Sequence, residues 1–176
     1  RVLGDVYKRQ MFDVELPNGK SLRESNNYRP GSQAVVAPLT WCQLGLSICY
    51  DLRFPHLYRQ LAQAGASFLS VPSAFTCPTG AAHWHVLLRA RAIETGCYVF
   101  APAQCGTHYG RRVTYGHSLI VNPWGEVLAD AGDEPGLIAA DVDLSLVQSV
   151  RASLPSLEHD RPFTGPGCTE ATSLAG

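Results

Sequence analysis

The chain has 176 residues, 45% of them hydrophobic and 16% charged, with 14 basic and 15 acidic residues and a net charge of −1. That length supports one domain burying roughly 70% of its unfolded surface. The balanced charge gives no electrostatic footprint for nucleic acid or an acidic membrane, and no apolar run approaches the roughly 20 residues that span a bilayer.

In chain order, residues 1–10 (Arg-Val-Leu-Gly-Asp-Val-Tyr-Lys-Arg-Gln) read as a non-native, adapter-derived leader, so native sequence is expected from about Met11. A strand is predicted over 44–48 and a helix over 55–64, with Pro55 in its first turn, Leu57 and Leu61 four apart and Gly65 as its stop. A buried strand follows over 67–71. The strongest helix runs over 81–95, with Trp84, Leu87, Leu88 and Ala92 on one stripe and Gly96 as its stop. Another buried strand covers 97–103. Alternating strands and helices with near-continuous apolar strands predict parallel pairing with right-handed crossovers. The style then changes. Segments 116–121, 126–131 and 137–143, with an Asn122-Pro123-Trp124-Gly125 turn, read as an antiparallel meander. A last helix is predicted over 144–154, and 166–176 is expected to be a flexible tail.

The six cysteines (42, 49, 77, 97, 105 and 168) include no Cys-x-x-Cys pair, and several sit in apolar runs. This argues against a zinc knuckle or a disulfide scaffold and for free thiols in a reducing cytosol. Cys49 has the position that asks for more. It ends the run Gly45-Leu46-Ser47-Ile48 and opens Tyr50-Asp51-Leu52-Arg53-Phe54-Pro55. A thiol at a strand end, where the chain turns into a helix, is where an α/β protein places a nucleophile. A buried Cys acting as a small hydrophobe is the competing reading. Locally the two stand level.

The segment from Gly45 to Leu57 resembles the nucleophile motif of the nitrilase superfamily, the carbon–nitrogen hydrolases. Three further motifs follow in the order that family has them: Arg23-Glu24-Ser25-Asn26 with Arg29-Pro30-Gly31; Thr79-Gly80 through His83-Trp84 to Arg89-Ala90-Arg91-Ala92-Ile93-Glu94; and Tyr115-Gly116-His117-Ser118 with Asn122-Pro123-Trp124-Gly125. The likeness is strongest to the Nit-type branch, which includes deaminated-glutathione amidase and omega-amidase. It implies an α/β fold, an α-β-β-α sandwich of four layers. Only part of it is expected here, with residues 11–165 as its C-terminal two-thirds.

The resemblance implies acyl transfer through a thioester at a Glu–Lys–Cys triad. Carried over residue by residue, Cys49 is the nucleophile, and Glu24 matches the second Glu, which orients the Lys and water. Lys8 stands 41 positions before Cys49 (49 − 8), the register of the family's lysine, although the histidine expected two residues after it is absent. The Lys ammonium and the Tyr50 N–H would stabilise the oxyanion. A thiol of pKa about 8.5 needs such a neighbourhood to react at neutral pH. The family's proton-shuttling Glu belongs upstream of the Lys and has no counterpart here, so these 176 residues are expected to be inactive and poorly soluble. No cofactor or metal is implied. A small amide bearing a carboxylate is the expected substrate, a homodimer the expected assembly and the cytoplasm the expected location.

Arg53, Phe75 and Trp84 are candidates for the substrate pocket, with core packing the favoured reading for both aromatics. Asp51 reads as a turn cap. Arg91 and Glu94, three apart on one helix, read as an ion pair. Trp124 reads as a turn residue packed on the sheet. His83 and His85 point to different sides of their helix and make a poor metal pair, many relatives carry Glu at the latter position, and His117 reads as a structural hydrogen-bonding residue. Two other functions compete. A glutamine-amidotransferase-like Cys–His enzyme wants a small residue two positions either side of the nucleophile, where Ser47 and Asp51 stand. The other is a non-catalytic binding domain.

Overall fold

The computed structural model describes residues 8–15, 21–110 and 112–165. Most of the leader, Cys168 and the expected flexible tail lie outside those residues. The architecture is α/β. Ten strands, β1 Asp13–Glu15, β2 Ser21–Arg23, β3 Val35–Pro38, β4 Gln43–Leu46, β5 Phe68–Ser70, β6 Tyr98–Ala101, β7 Cys105–His108, β8 Arg112–Tyr115, β9 Leu119–Val121 and β10 Val127–Asp130, alternate with helices α1 Pro55–Gln63, α2 Cys77–Thr95 and α3 Leu144–Ser153. Six strands form one sheet in the order β10-β9-β6-β5-β4-β3, while β1–β2 and β7–β8 form separate ribbons. The pairs β4–β5 and β5–β6 are parallel, as the apolar strands and intervening helices predict, and β3, β9 and β10 join antiparallel.

Alternation along each strand loads both faces of the sheet. The row Gly45, Leu69, Val99 and Val121 faces the main core, where Leu57, Leu61, Trp84, Leu88 and Ala92 from α1 and α2 pack against it. The opposite face carries Phe68 and Tyr98, stacked with ring centroids 5.3 Å apart, and is covered in part by Val147 of α3. Gly45 has no room for a side chain: a Cβ there would lie 2.9 Å from Leu69 Cδ2 and 3.1 Å from Leu61 Cβ, so α1 seats directly on β4.

Several boundaries differ from expectation for identifiable reasons. Helix α2 begins at Cys77 rather than 81, with Pro78 in its first turn, where a missing N–H costs nothing. Thr79-Gly80 lies inside α2, and position 80 requires glycine because a Cβ there would sit 2.2 Å from the Tyr115 ring; the glycine is a packing contact, not a loop residue. The strand expected over 116–121 shrinks to Leu119–Val121 because Gly116 and His117 both have positive φ, 77° and 58°. The segment 137–143 forms no strand; Leu137 is fully exposed, and the chain runs past Tyr98, whose hydroxyl bonds the backbone of Asp143. Apolar alternation without an open sheet edge is not enough to make a strand. Trp124 is 55% exposed rather than packed on the sheet. Gly125, its neighbour, makes the contact: its carbonyl accepts from Arg89 Nε at 2.7 Å, and a Cβ on it would meet Ile93. Strand β3 and the ribbons β1–β2 and β7–β8 have no counterpart in the sequence reading.

Candidate active site

Cys49 begins a short helical turn, Cys49–Arg53, between β4 and α1. Its φ is +50°, a left-handed conformation that non-glycine residues rarely hold without surrounding support. The support is visible on both sides. The Cys49 N–H donates to Pro72 O just past β5 (3.0 Å), and Ser47 donates from both its N–H (3.1 Å) and its hydroxyl (2.8 Å) to Ser70 O. The Ser47 hydroxyl also bonds the buried Tyr58 hydroxyl at 2.7 Å. Burial pushes the Tyr58 phenol far above its ordinary value, so it stays neutral beneath the turn. The Cys49 side chain is partly buried and packs against the main core.

Asp51 caps this turn, and its carboxylate reaches much further. Oδ2 accepts from Ile48 N (2.9 Å), closing the turn on itself. Oδ1 accepts from Arg9 N (3.1 Å) and Gln10 N (2.8 Å), which lie about forty residues earlier. Asp51 is fully buried. Burial raises its carboxyl above the usual range, opposed by these three N–H groups and by the Lys8 ammonium. One carboxylate thus ties residues 9 and 10 to the turn that carries Cys49.

That tie brings Lys8 into the fold. Its side chain is 5% exposed and forms an ion pair with Glu24 Oε2, which also accepts from Phe12 N at 2.8 Å. The Lys8 carbonyl accepts from Gly31 N at 2.8 Å. Tyr50, next to Cys49, meets the Phe12 ring edge-on at 5.1 Å. Arg53 ends the turn, lying 5.5 Å over the Phe75 ring with its guanidinium 3.3 Å from His83 Nδ1. Phe75 and Trp84 lie in the core, 4.8 Å apart and tilted, with Trp84 only 1% exposed. His83 and His85 do diverge, toward Arg53 and Asp130 respectively.

Arg91 carries a role that its pairing with Glu94 does not disclose. The ion pair forms (2.9 Å), yet Nε and Nη2 both donate to Leu52 O, at 3.0 and 2.8 Å. Its guanidinium lies over the Tyr58 ring at 5.4 Å. A buried cation from α2 therefore clamps the carbonyl end of the Cys49 turn. The available signal is an arginine on the same helical face as Leu88, since a buried guanidinium must find acceptors.

The described residues thus bring together Cys49, in a left-handed turn at a strand end, and the buried Lys8–Glu24 pair, whose segment is tied to that turn through Asp51. The family model of carbon–nitrogen hydrolases matches residues 1–152. The chain belongs to the carbon–nitrogen hydrolase family. It is 50% identical over 159 residues to a Synechocystis protein named deaminated glutathione amidase, covering 89% of this chain and 58% of that protein. To the Bos taurus protein of the same name it is 50% identical over 163 residues, covering 92% and 49%. The chain spans about half the length of the curated relatives it matches. Among solved structures of the carbon–nitrogen hydrolase fold, it is similar to the C. elegans NitFhit protein (TM-score 0.82, 46% identity, 88% of this chain and 38% of that one). It is also similar to a Nesterenkonia amidase whose active-site cysteine carries acrylamide by Michael addition (TM-score 0.66, 34% identity, 84% and 55%).

Proposed function

We propose that the chain bears the thiol half of an amidase site that releases ammonia from a small, carboxylate-bearing amide through a thioester on Cys49. The observation that carries this reading is the Asp51 carboxylate, which joins the Lys8 segment to the Cys49 turn. In this reading the Cys49 sulfur attacks the amide carbonyl, and the carbonyl oxygen becomes an oxyanion facing the Lys8 ammonium and the Tyr50 N–H. One such donor is worth about 10²–10³ in rate. The first N–H groups of a helical turn have no partner within it, which suits Tyr50 to this work. Glu24 holds Lys8 in place and stands next to the water that hydrolyses the thioester. The Glu that shuttles the proton belongs upstream of Lys8.

Arg53 supports the substrate class. Its guanidinium is paired with a histidine rather than a carboxylate among the described residues, which suits it to an incoming carboxylate. Deaminated glutathione, named in the relatives, carries such groups. Phe75, beneath the guanidinium, and Trp84 behind it would back the pocket wall. Exposed Val86 and Ile93 on α2 support pairing of two copies through that helix. No helix among the described residues is long and apolar enough to cross a membrane. Free thiols support a reducing compartment such as the cytoplasm.

The test is two-part. In a protein that also supplies the upstream Glu, ammonia release from deaminated glutathione should vanish with Cys49→Ala. Acrylamide at neutral pH should modify Cys49 well ahead of Cys42 and Cys97, whose thiols burial pushes up. Equal labelling of all three would overturn the nucleophile assignment and favour a binding domain. Loss of activity on His117→Ala as complete as on Cys49→Ala would favour the Cys–His alternative.

A further inference from the structure

We propose that His85, His117 and Asp130 form a binding site for a divalent transition-metal ion of the zinc class, apart from the thiol chemistry. Their donor atoms all lie within 4.8 Å of one another, and this is the one such group among the described residues. His85 Nε2 is 3.0 Å from Asp130 Oδ2, and His117 Nδ1 is 3.0 Å from both carboxylate oxygens. Two imidazoles and a carboxylate are a donor set that zinc takes, with a fourth position left for water. Tetrahedral bonds of about 2.1 Å place neighbouring donors roughly 3.4 Å apart, so the triad needs only small shifts to close around an ion.

The three residues come from separate elements and are individually held. His117 adopts its left-handed conformation at the start of β9, fixed by its N–H donating to Gly132 O (2.6 Å) and by Trp84 Nε1 donating to its carbonyl (2.7 Å). The Tyr115 ring stacks on the imidazole at 4.4 Å, leaving Nδ1 aimed at Asp130. Asp130 ends β10, with Oδ1 accepting from Gly132 N at 2.8 Å. His85 projects from α2. The three side chains are 32%, 27% and 32% exposed, open enough for an ion and its water to enter. On binding, the proton that each imidazole directs at the carboxylate leaves for its other ring nitrogen or for solvent, and the ion takes its place. The ion would pin α2 to the β9–β10 hairpin.

Zinc chloride titrated into the full metal-stripped chain, followed by calorimetry, should give one ion per chain and a raised melting temperature. His85→Ala and Asp130→Asn should each weaken binding about tenfold or more, while Cys49→Ala and Cys105→Ala bind as the wild type does. His85 is a partly exposed helix position, so its variant should melt normally without metal and confirm that the fold is intact. Cobalt in place of zinc should show no thiolate charge-transfer absorption. Absent binding, binding that survives either the His85 or the Asp130 change, or binding lost with either cysteine would overturn the site.

Discussion

The turn that carries Cys49 and the arm that carries Lys8 are held by opposite means. The turn sits between β4 and α1, backed by Leu52, Leu57, Tyr58 and Leu61, all 3% exposed or less. The arm, 8–15 with β2, has short strands with no fully buried residue. Its anchors are mostly polar: the Lys8–Glu24 pair, the Phe12 N–H on Glu24 and the two N–H groups on Asp51, with one aromatic contact, Phe12 on Tyr50. A hydrophobic seat is non-directional and cooperative with the whole core, whereas a few hydrogen bonds open locally at little cost to the rest. Cys49 is thus set rigidly, and Lys8 is delivered by contacts that can be removed singly.

The largest expected effect breaks the rigid side. Arg91→Ala leaves the Leu52 carbonyl without its two donors and removes a buried side chain. It should lower stability by about 3 kcal/mol in denaturant unfolding. Acrylamide labelling of Cys49 should then lose its selectivity.

Asp51→Asn strikes the joint between the two regions. Losing one or two of its three accepted hydrogen bonds should cost about 1–2 kcal/mol. It should also change the pH dependence. Because the folded Asp51 carboxyl titrates above its unfolded value, its contribution is fully present below about pH 4 and is lost as pH rises through the raised value. Asp13, Asp130, Asp143 and Asp160 are lowered and act in the opposite sense, stabilising above about pH 4 and losing that as pH falls. Wild-type unfolding measured from pH 3 to 8 should show both trends, and Asp51→Asn should remove only the first. An unchanged profile would contradict the burial of this carboxylate.

Glu24→Gln sharpens the contrast from the other side. The Phe12 amide should exchange about tenfold faster, equivalent to ~1.4 kcal/mol of local opening, while the global unfolding midpoint barely moves. A fully cooperative loss would show that the arm belongs to the core. The smallest effect is expected from His83→Ala, which should change stability by less than about 0.5 kcal/mol. If Arg53 meets the substrate carboxylate, this variant, in a protein that also supplies the upstream Glu, should alter KM rather than kcat, because it frees the guanidinium without touching the thiol.

Much of the rigid region is legible from residues alone. Gly45 to Pro55 announces a strand, a thiol at its end and a helix start, because apolar runs, proline and glycine act over a few residues. The arm is less so. Lys8 lies in a segment whose sequence looks foreign, and its burial depends on a carboxylate 43 residues later (51 − 8). The β1–β2 and β7–β8 ribbons escape notice because strands of three or four residues carry too little alternation to register.

The sequence by itself determined the family, the parallel core with its two crossover helices, and the place of Cys49 at a strand end. Each rests on local periodicity or on an ordered set of motifs. Apart from the Arg91–Glu94 pair within α2, the tertiary structure alone decided which charged groups meet. It turned Asp51 from a turn cap into the joint to the Lys8 arm, made Arg91 a clamp on the Leu52 carbonyl, and brought His85 and His117 from separate elements to one carboxylate. Hydrogen bonds and ion pairs are directional contacts of about 3 Å. Their partners are fixed by how the elements pack, which no spacing along the chain records.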